Sequence, residues 1–224
     1  LKKRNIVILS IVAALLVMGC VGGYFAYTID QAAKKAAEDK AYRQENVVMR
    51  QTGEVFDLSS EDASEGEQYG FDTVLDWSGT MRIILEEAVL YDSVEEASLP
   101  ENALEAVGDV TPGSKYLQCK IKLKNIDAEP LSTSEDNSFN IGQFKLCAPD
   151  LPDRGFSYPF EPVYFNGTKE DALPTQIYHY TLEKGEEKTF ELGYLLTEKE
   201  AGETLVFMIG INNNEKFQIV VAES

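Results

Sequence analysis

Residues 116–124 alternate strictly: Leu117, Cys119, Ile121 and Leu123 fall on one side, and Gln118, Lys120, Lys122 and Lys124 on the other. A period of two is the signature of a strand with one buried and one solvated face. The same logic places Phe190, Leu192, Tyr194 and Leu196 on one face of a strand over 188–196. Residues 79–91 read as one long or broken strand, and Phe139 to Cys147 as another with Gly142 as a bulge. Further strands are expected over 177–182, 204–211 and 215–221. Residues 205–211 are apolar on both faces, as in a strand covered on both sides. Turn signals fall between these runs: Asn166-Gly167 reads as a hairpin dipeptide, Lys184-Gly185 separates two strands, and Asn212-Asn213-Asn214 joins the last two. Ser93 and Glu96 have capping-box spacing, predicting one or two helical turns after the first long strand. Short strands with polar turns predict an all-β, antiparallel β-sandwich of about seven to eight strands.

The N-terminal quarter has a different pattern. Ile6 to Ile29 contains no charged residue and follows Lys2-Lys3-Arg4. As a helix these residues span roughly 36 Å, enough for a bilayer core of about 30 Å. The basic cluster, expected at the natural N-terminus, holds that end in the cytoplasm and puts the rest of the chain outside. A second reading of the same stretch stays open. Val17-Met18-Gly19-Cys20 resembles a bacterial lipobox, in which Cys20 is the lipidation candidate and the residues before it are removed. In either form residues 1–29 are a signal or transmembrane anchor and the chain is tethered at the cell membrane with its C-terminal domain extracytoplasmic. Residues 30–51 lack Gly and Pro and are rich in Ala, Lys and Glu, which predicts a helical stalk. Residues 52–68 mix Gly and Ser with acids and read as an acidic flexible linker, leaving 69–224 for the β-sandwich domain.

The elements Tyr116-Leu-Gln-Cys-Lys-Ile-Lys-Leu-Lys-Asn-Ile126, Phe139 to Leu146, and Leu182-Glu-Lys-Gly-Glu-Glu-Lys-Thr-Phe-Glu-Leu-Gly-Tyr194 occur in that order before a final pair of strands. This arrangement resembles the immunoglobulin-like domains of unknown function in lipoproteins and membrane-anchored extracytoplasmic proteins of Gram-positive bacteria. Those domains share a strand ending in Lys-Asn and a later Leu-x-x-Gly-Glu turn that enters a strand. Gly79-Thr80-Met81 through Tyr91-Asp92-Ser93-Val94-Glu95-Glu96-Ala97 also resembles one lipoprotein subgroup. The resemblance covers roughly residues 79–221 and implies a fold and a location; it carries no catalytic residues. Trp77 precedes both domain cysteines, unlike the arrangement of antibody domains.

Charge narrows the partners. The formal net charge is −18, and from Asp30 onward 38 acidic residues face 17 basic ones. Such a surface repels phosphate backbones, so nucleic acid is not an expected partner. Candidate chemistry is sparse. A nucleophile–histidine site would have to use the one histidine, His179, which sits in a strand pattern with no Gly-x-Ser-x-Gly elbow in the chain. Zinc is excluded by the lack of Cys-x-x-Cys and of a second histidine, and no cofactor or metal is expected. Cys119 and Cys147 are a candidate disulfide or two packed thiols. Residues 149–174 hold five of the eight prolines, and Phe156, Tyr158, Phe160, Tyr164 and Phe165 crowd into one candidate binding loop. The alternative for that loop is a ring of aromatics capping an open end of the sandwich. The expected function is a non-enzymatic interaction module of the cell envelope with a protein or envelope component as partner. A surface lipoprotein that binds a glycan or peptide is the alternative, and an envelope hydrolase the third.

Overall fold

The computed structural model describes residues 27–42, 44–64, 75–100, 110–131, 138–168, 177–210 and 216–223. The chain divides into two compact units, one ending at Glu45 and the other running from Asn46 to Ser224. In the first unit a helix, α1, runs through residues 27–42 with almost every side chain in solvent, Asp30 and Lys34 pairing at 2.8 Å one turn apart. The expected anchor span lies outside the described residues except for its last three. Among the described residues no helix is long and apolar enough to cross a membrane.

The second unit is mostly β. Its larger open sheet has the order β2-β4-β5-β11-β9, built from Val55–Ser59, Thr80–Tyr91, Lys115–Asn125, Glu187–Leu196 and Tyr164–Phe165. The second open sheet has the order β1-β13-β12-β8, from Val48–Gln51, Phe217–Ala222, Leu205–Ile209 and Phe144–Cys147. Two short ribbons complete the unit: β3 (Trp77–Ser78) pairs with β6 (Glu129–Pro130), and β7 (Phe139–Asn140) with β10 (His179–Tyr180). Both large sheets contribute to one core. Met81, Ile83 and Leu85, Cys119 and Ile121, and Leu192 and Tyr194 come from the first; Leu146, Phe207 and Ile219 come from the second. The predicted inward sets of β5 and β11 are buried, because alternate side chains of a pleat share a face; Tyr116, on the opposite face of β5, is buried as well, in a smaller cluster with Val94 and Leu99. β12 is buried along its whole length, as its two-faced apolarity predicts.

The solvated face of the larger sheet is laced with opposite charges. Arg82 forks onto Asp57 at 2.6 and 2.9 Å, Lys120 meets Glu87 at 2.7 Å, and Lys122 meets Glu86 at 2.7 Å. Exposed pairs of this kind contribute at most about 1 kcal/mol each, so their main effect is to leave this face balanced on an otherwise acidic protein.

Several sequence expectations are corrected. The helical stalk stops at residue 45, and the segment assigned to its end is strand β1, paired in parallel with β13 through Val48↔Phe217 to Gln51↔Val220. The strand pairing is therefore not wholly antiparallel. The expected flexible linker contains β2, antiparallel to β4, and a helical turn, α2 (Ser60–Ser64). Phe56, Leu58 and Ala63 carry this segment into the core; three apolar residues at strand and turn spacing outweigh the acidic composition around them. A capping box starts α2: the Asp62 amide donates to Ser59 Oγ at 3.1 Å and the Ser59 amide to Asp62 Oδ2 at 3.3 Å. The strand expected over 139–147 is interrupted by a 3₁₀ turn at Ile141–Gln143, where Asn140 Oδ1 accepts from the Gly142 amide at 2.7 Å. Of the strand expected over 177–182 only His179–Tyr180 is extended.

Asn166-Gly167 closes no hairpin between neighbouring strands, since β9 pairs with β11. Ser93 and Glu96 form no capping box. Glu96 accepts from the Asp92 amide at 3.3 Å, and the 3₁₀ turn over Glu95–Ala97 has no side-chain cap. The box forms instead at Thr197 and Glu200, at the start of α3 (Glu198–Ala201).

Candidate functional site

The two motifs that carried the sequence resemblance meet in space. Asn125 ends β5 and is 2% exposed. Its side-chain Nδ2 donates to the carbonyls of Ala128 (3.0 Å) and Leu182 (2.9 Å), and its Oδ1 accepts from the Ala128 amide at 2.7 Å. Its backbone joins the same corner, donating to Glu186 O at 3.0 Å and accepting from the Gly185 amide at 2.7 Å. The Leu-x-x-Gly-Glu turn is shaped by its own ends. The Glu183 amide donates to Glu186 Oε2 at 2.7 Å, and Gly185 sits at φ +82°, a conformation that glycine adopts without strain. Lys-Asn and Leu-x-x-Gly-Glu are thus two halves of one corner, in which an amide side chain substitutes for missing sheet partners.

Beside this corner lies an open cleft of about 940 Å³ lined by Glu129, Pro130, Phe139, Glu183, Lys184 and Lys188, among others. Two of its charges are engaged with each other. Lys188 pairs with Glu186 at 2.9 Å and donates to the Thr181 carbonyl at 3.1 Å. The Lys188 ammonium, with help from the Glu183 amide, holds the Glu186 carboxyl below its usual range. The corner can present backbone and charged groups to a polar ligand, with Phe139 as a ring at its wall.

A buried carboxyl ties together segments that adjoin two of the lining residues, Pro130 and Phe139. Asp76, next to β3, accepts from the Asn140 amide and from Gln143 Nε2 (2.6 Å), and its carbonyl accepts from the Leu131 amide at 2.8 Å. Burial pushes its pKa up to about 6, against the opposing pull of the Asn140 and Gln143 hydrogen bonds. No sequence motif marks Asp76; a lone acid before Trp77 carries no periodic signal.

His179 lies on the neighbouring ribbon, its Nδ1 3.0 Å from Ser138 Oγ. Ser138 is buried and His179 half-buried. Among the described residues no group of three or more His, Cys, Asp or Glu side chains is placed to hold a metal ion.

The two domain cysteines, Cys119 and Cys147, are reduced and buried. Cys119 is in the main core, and Cys147 points to the other face of its sheet, packing with Val206 and Met208. A disulfide between them is not formed. Burial pushes the Cys119 thiol well above its usual range. The five loop aromatics separate into four packed rings and one free one. Phe160 and Phe165 are in the main core, Phe156 covers Cys147, Val206 and Met208, and Tyr164 packs on a smaller cluster with Val94, Leu99 and Tyr116. Arg154 lies 4.9 Å above the Phe160 ring and donates to Glu200 Oε1 at 2.7 Å, bracing the loop against α3. Tyr158 is 64% exposed. Cys20 lies outside the described residues.

A family model described as "Domain of unknown function (DUF5027)" matches residues 79–222, more than half of the chain. No curated protein and no solved structure matches the chain.

Proposed function

Starting from a chain that belongs to the DUF5027 family, we propose that it is a non-enzymatic interaction module of a bacterial cell envelope. In this reading it is held outside the membrane by its N-terminal anchor and binds a protein or envelope component through the loops of its domain. The observation that carries the reading is the loop over residues 156–165. Four of its rings are spent on packing, and they hold the fifth, Tyr158, in solvent on a braced scaffold. An exposed tyrosine on a rigid loop presents apolar area and a hydroxyl at little entropic cost, the usual composition of a recognition point. The chemically able groups elsewhere, Asn125, Glu186, Asp76 and His179, are engaged in hydrogen bonds that shape the fold.

The strand orders support an immunoglobulin-like reading of the family domain. β4-β5-β11-β9 and β8-β12-β13 correspond to the A-B-E-D and C-F-G orders of a constant-type sandwich, with β1 and β2 added outside it. The cleft beside Asn125 favours the second reading, a surface protein that takes a polar glycan or peptide.

Tyr158→Ala is expected to abolish capture of a partner in pull-downs with the intact protein while leaving the melting temperature nearly unchanged. Phe160→Ala is expected to lower stability by about 3–5 kcal/mol, because it empties a core site. Retained capture by Tyr158→Ala would remove the loop from the binding surface.

The tether is tested separately. The acylated reading predicts that the mature protein begins at Cys20 and carries lipid. Cys20→Ala then loses both cleavage and the acyl label. The helix reading predicts an uncleaved chain that differs from wild type only by the sulfur lost in the substitution, with unchanged membrane fractionation. A wild-type chain found free of the membrane would defeat both.

A further inference from the structure

Residues 48–59 lie in the part of the second unit that precedes the family match, and they do one particular thing. β1 adds to β13 on one sheet and β2 adds to β4 on the other, so a single short segment ends both sheets. The strands from β4 onward already form two sheets that share a core, and the family match begins at the start of β4. The segment is seated by specific contacts. Phe56 and Leu58 enter the core, and Thr52 Oγ1 donates to the Val220 carbonyl at 2.9 Å. The Gly53 amide donates to the Leu85 carbonyl at 2.7 Å, where β4 shifts register, and Gly53 turns the chain at φ +85°. Lys216 donates to the Asp62 carbonyl within α2. Each of the two strands has one neighbour only, and the parallel pairing covers four residues.

The edges of β4 and β13 are therefore an acceptor for an extended segment with the pattern Phe-x-Leu, and every copy of the chain carries that segment. A clip supplied by a second copy would make the same contacts as the chain's own, which is the condition under which exchange between identical chains is cheap. We propose that residues 46–64 form an exchangeable clip, and that the flank made by β4 and β13 is an interface on which one copy of this chain takes up the clip of another. This extends the protein's interactions to a second copy of itself and is independent of what Tyr158 recognises.

The test uses Met49 and Gln218, register partners across β1 and β13, with Met49 exposed. A full chain carrying both Met49→Cys and Gln218→Cys gives an intramolecular 49–218 disulfide on oxidation, showing that the pair is competent. A mixture of the full-length Met49→Cys chain with the full-length Gln218→Cys chain is then oxidised after incubation. Exchange predicts a heterodimer joined through 49 and 218, identified by peptide mass, that grows with time and protein concentration. Adding Phe56→Asp to the Met49→Cys chain prevents its clip from seating, and the heterodimer is lost. A mixture that stays monomeric, that yields only 49–49 or 218–218 links, or that yields the heterodimer undiminished with Phe56→Asp, overturns the proposal.

Discussion

Asn125→Ala is expected to be the most damaging single substitution outside the apolar core, lowering the unfolding free energy by about 3–5 kcal/mol. The side chain makes three hydrogen bonds, to Ala128 O, Leu182 O and the Ala128 amide, all in a buried setting. Truncation leaves three backbone groups without partners, and each orphaned group costs on the order of 1–3 kcal/mol, reduced where water can enter from the adjoining cleft. Asn125→Asp should not rescue the corner. A carboxylate would face the two carbonyls that Nδ2 now serves, replacing two attractions by two repulsions. Urea denaturation of the variants at neutral pH measures both effects. A loss under about 1 kcal/mol for Asn125→Ala would mean that solvent replaces the side chain and that the corner does not depend on it.

The second large effect is a dependence on pH centred on Asp76. Its folded pKa is about 6, raised from an unfolded value of 3.8 by burial. A raised acid pKa means that the folded state binds the proton more tightly than the unfolded one. The stabilisation is fully present below pH 3.8, falls as pH rises through about 6, and is absent above that. Two pKa units correspond to roughly 3 kcal/mol in full, of which about 2 kcal/mol should be gained between pH 7.5 and pH 4.5 and the rest as pH falls through 3.8. Tyr180 is the titratable side chain in electrostatic contact with Asp76, and its own pKa is pushed far above this range by burial. Surface carboxyls held down by cations act in the opposite sense. The pairing of Asp57 with Arg82 and of Asp92 with Lys115 lowers each acid, and their contributions disappear as pH falls below the ordinary carboxylate range.

The expected profile is therefore a rise in stability as pH falls from 7.5 to about 4, with a decline below that. Asp76→Asn retains a carbonyl to accept from the Asn140 amide and removes the ionisable group, so it should flatten the alkaline limb. Chemical denaturation of wild type and variant from pH 4 to pH 8 decides the matter. Parallel profiles for the two proteins would assign the slope to other groups.

Both predictions concern residues whose role the sequence hardly displayed. Lys124-Asn125 and Leu182 to Glu186 were visible as a resemblance, but nothing in the order of residues showed that the two motifs touch, since 57 positions separate Asn125 from Leu182. Asp76 looked like one acid among many. The loop aromatics were visible as a group, and which of them faced solvent was not. Proline spacing and ring content mark an irregular loop without assigning any ring an inside or an outside. The cysteines show the same limit from the other side. Alternation along β5 put Cys119 in the core correctly, while Cys147 sits between Leu146 and Ala148, which both face the core from β8 and its end.

What the residues determined alone was every feature with a short period. The alternating faces of β5 and β11 and the wholly apolar β12 follow from a pleat that repeats every two residues, a rule contained within the strand itself. What required the tertiary structure was every feature in which distant segments share a boundary. Composition made residues 48–64 a stalk end and a linker. The open edges of β13 and β4 made them strands, because unpaired backbone groups and two apolar side chains found partners there. The physical reason is one of range. Local periodicity decides which way a side chain points, but hydrogen bonds and burial between segments far apart in sequence decide whether a short polar stretch is solvated or becomes part of a sheet.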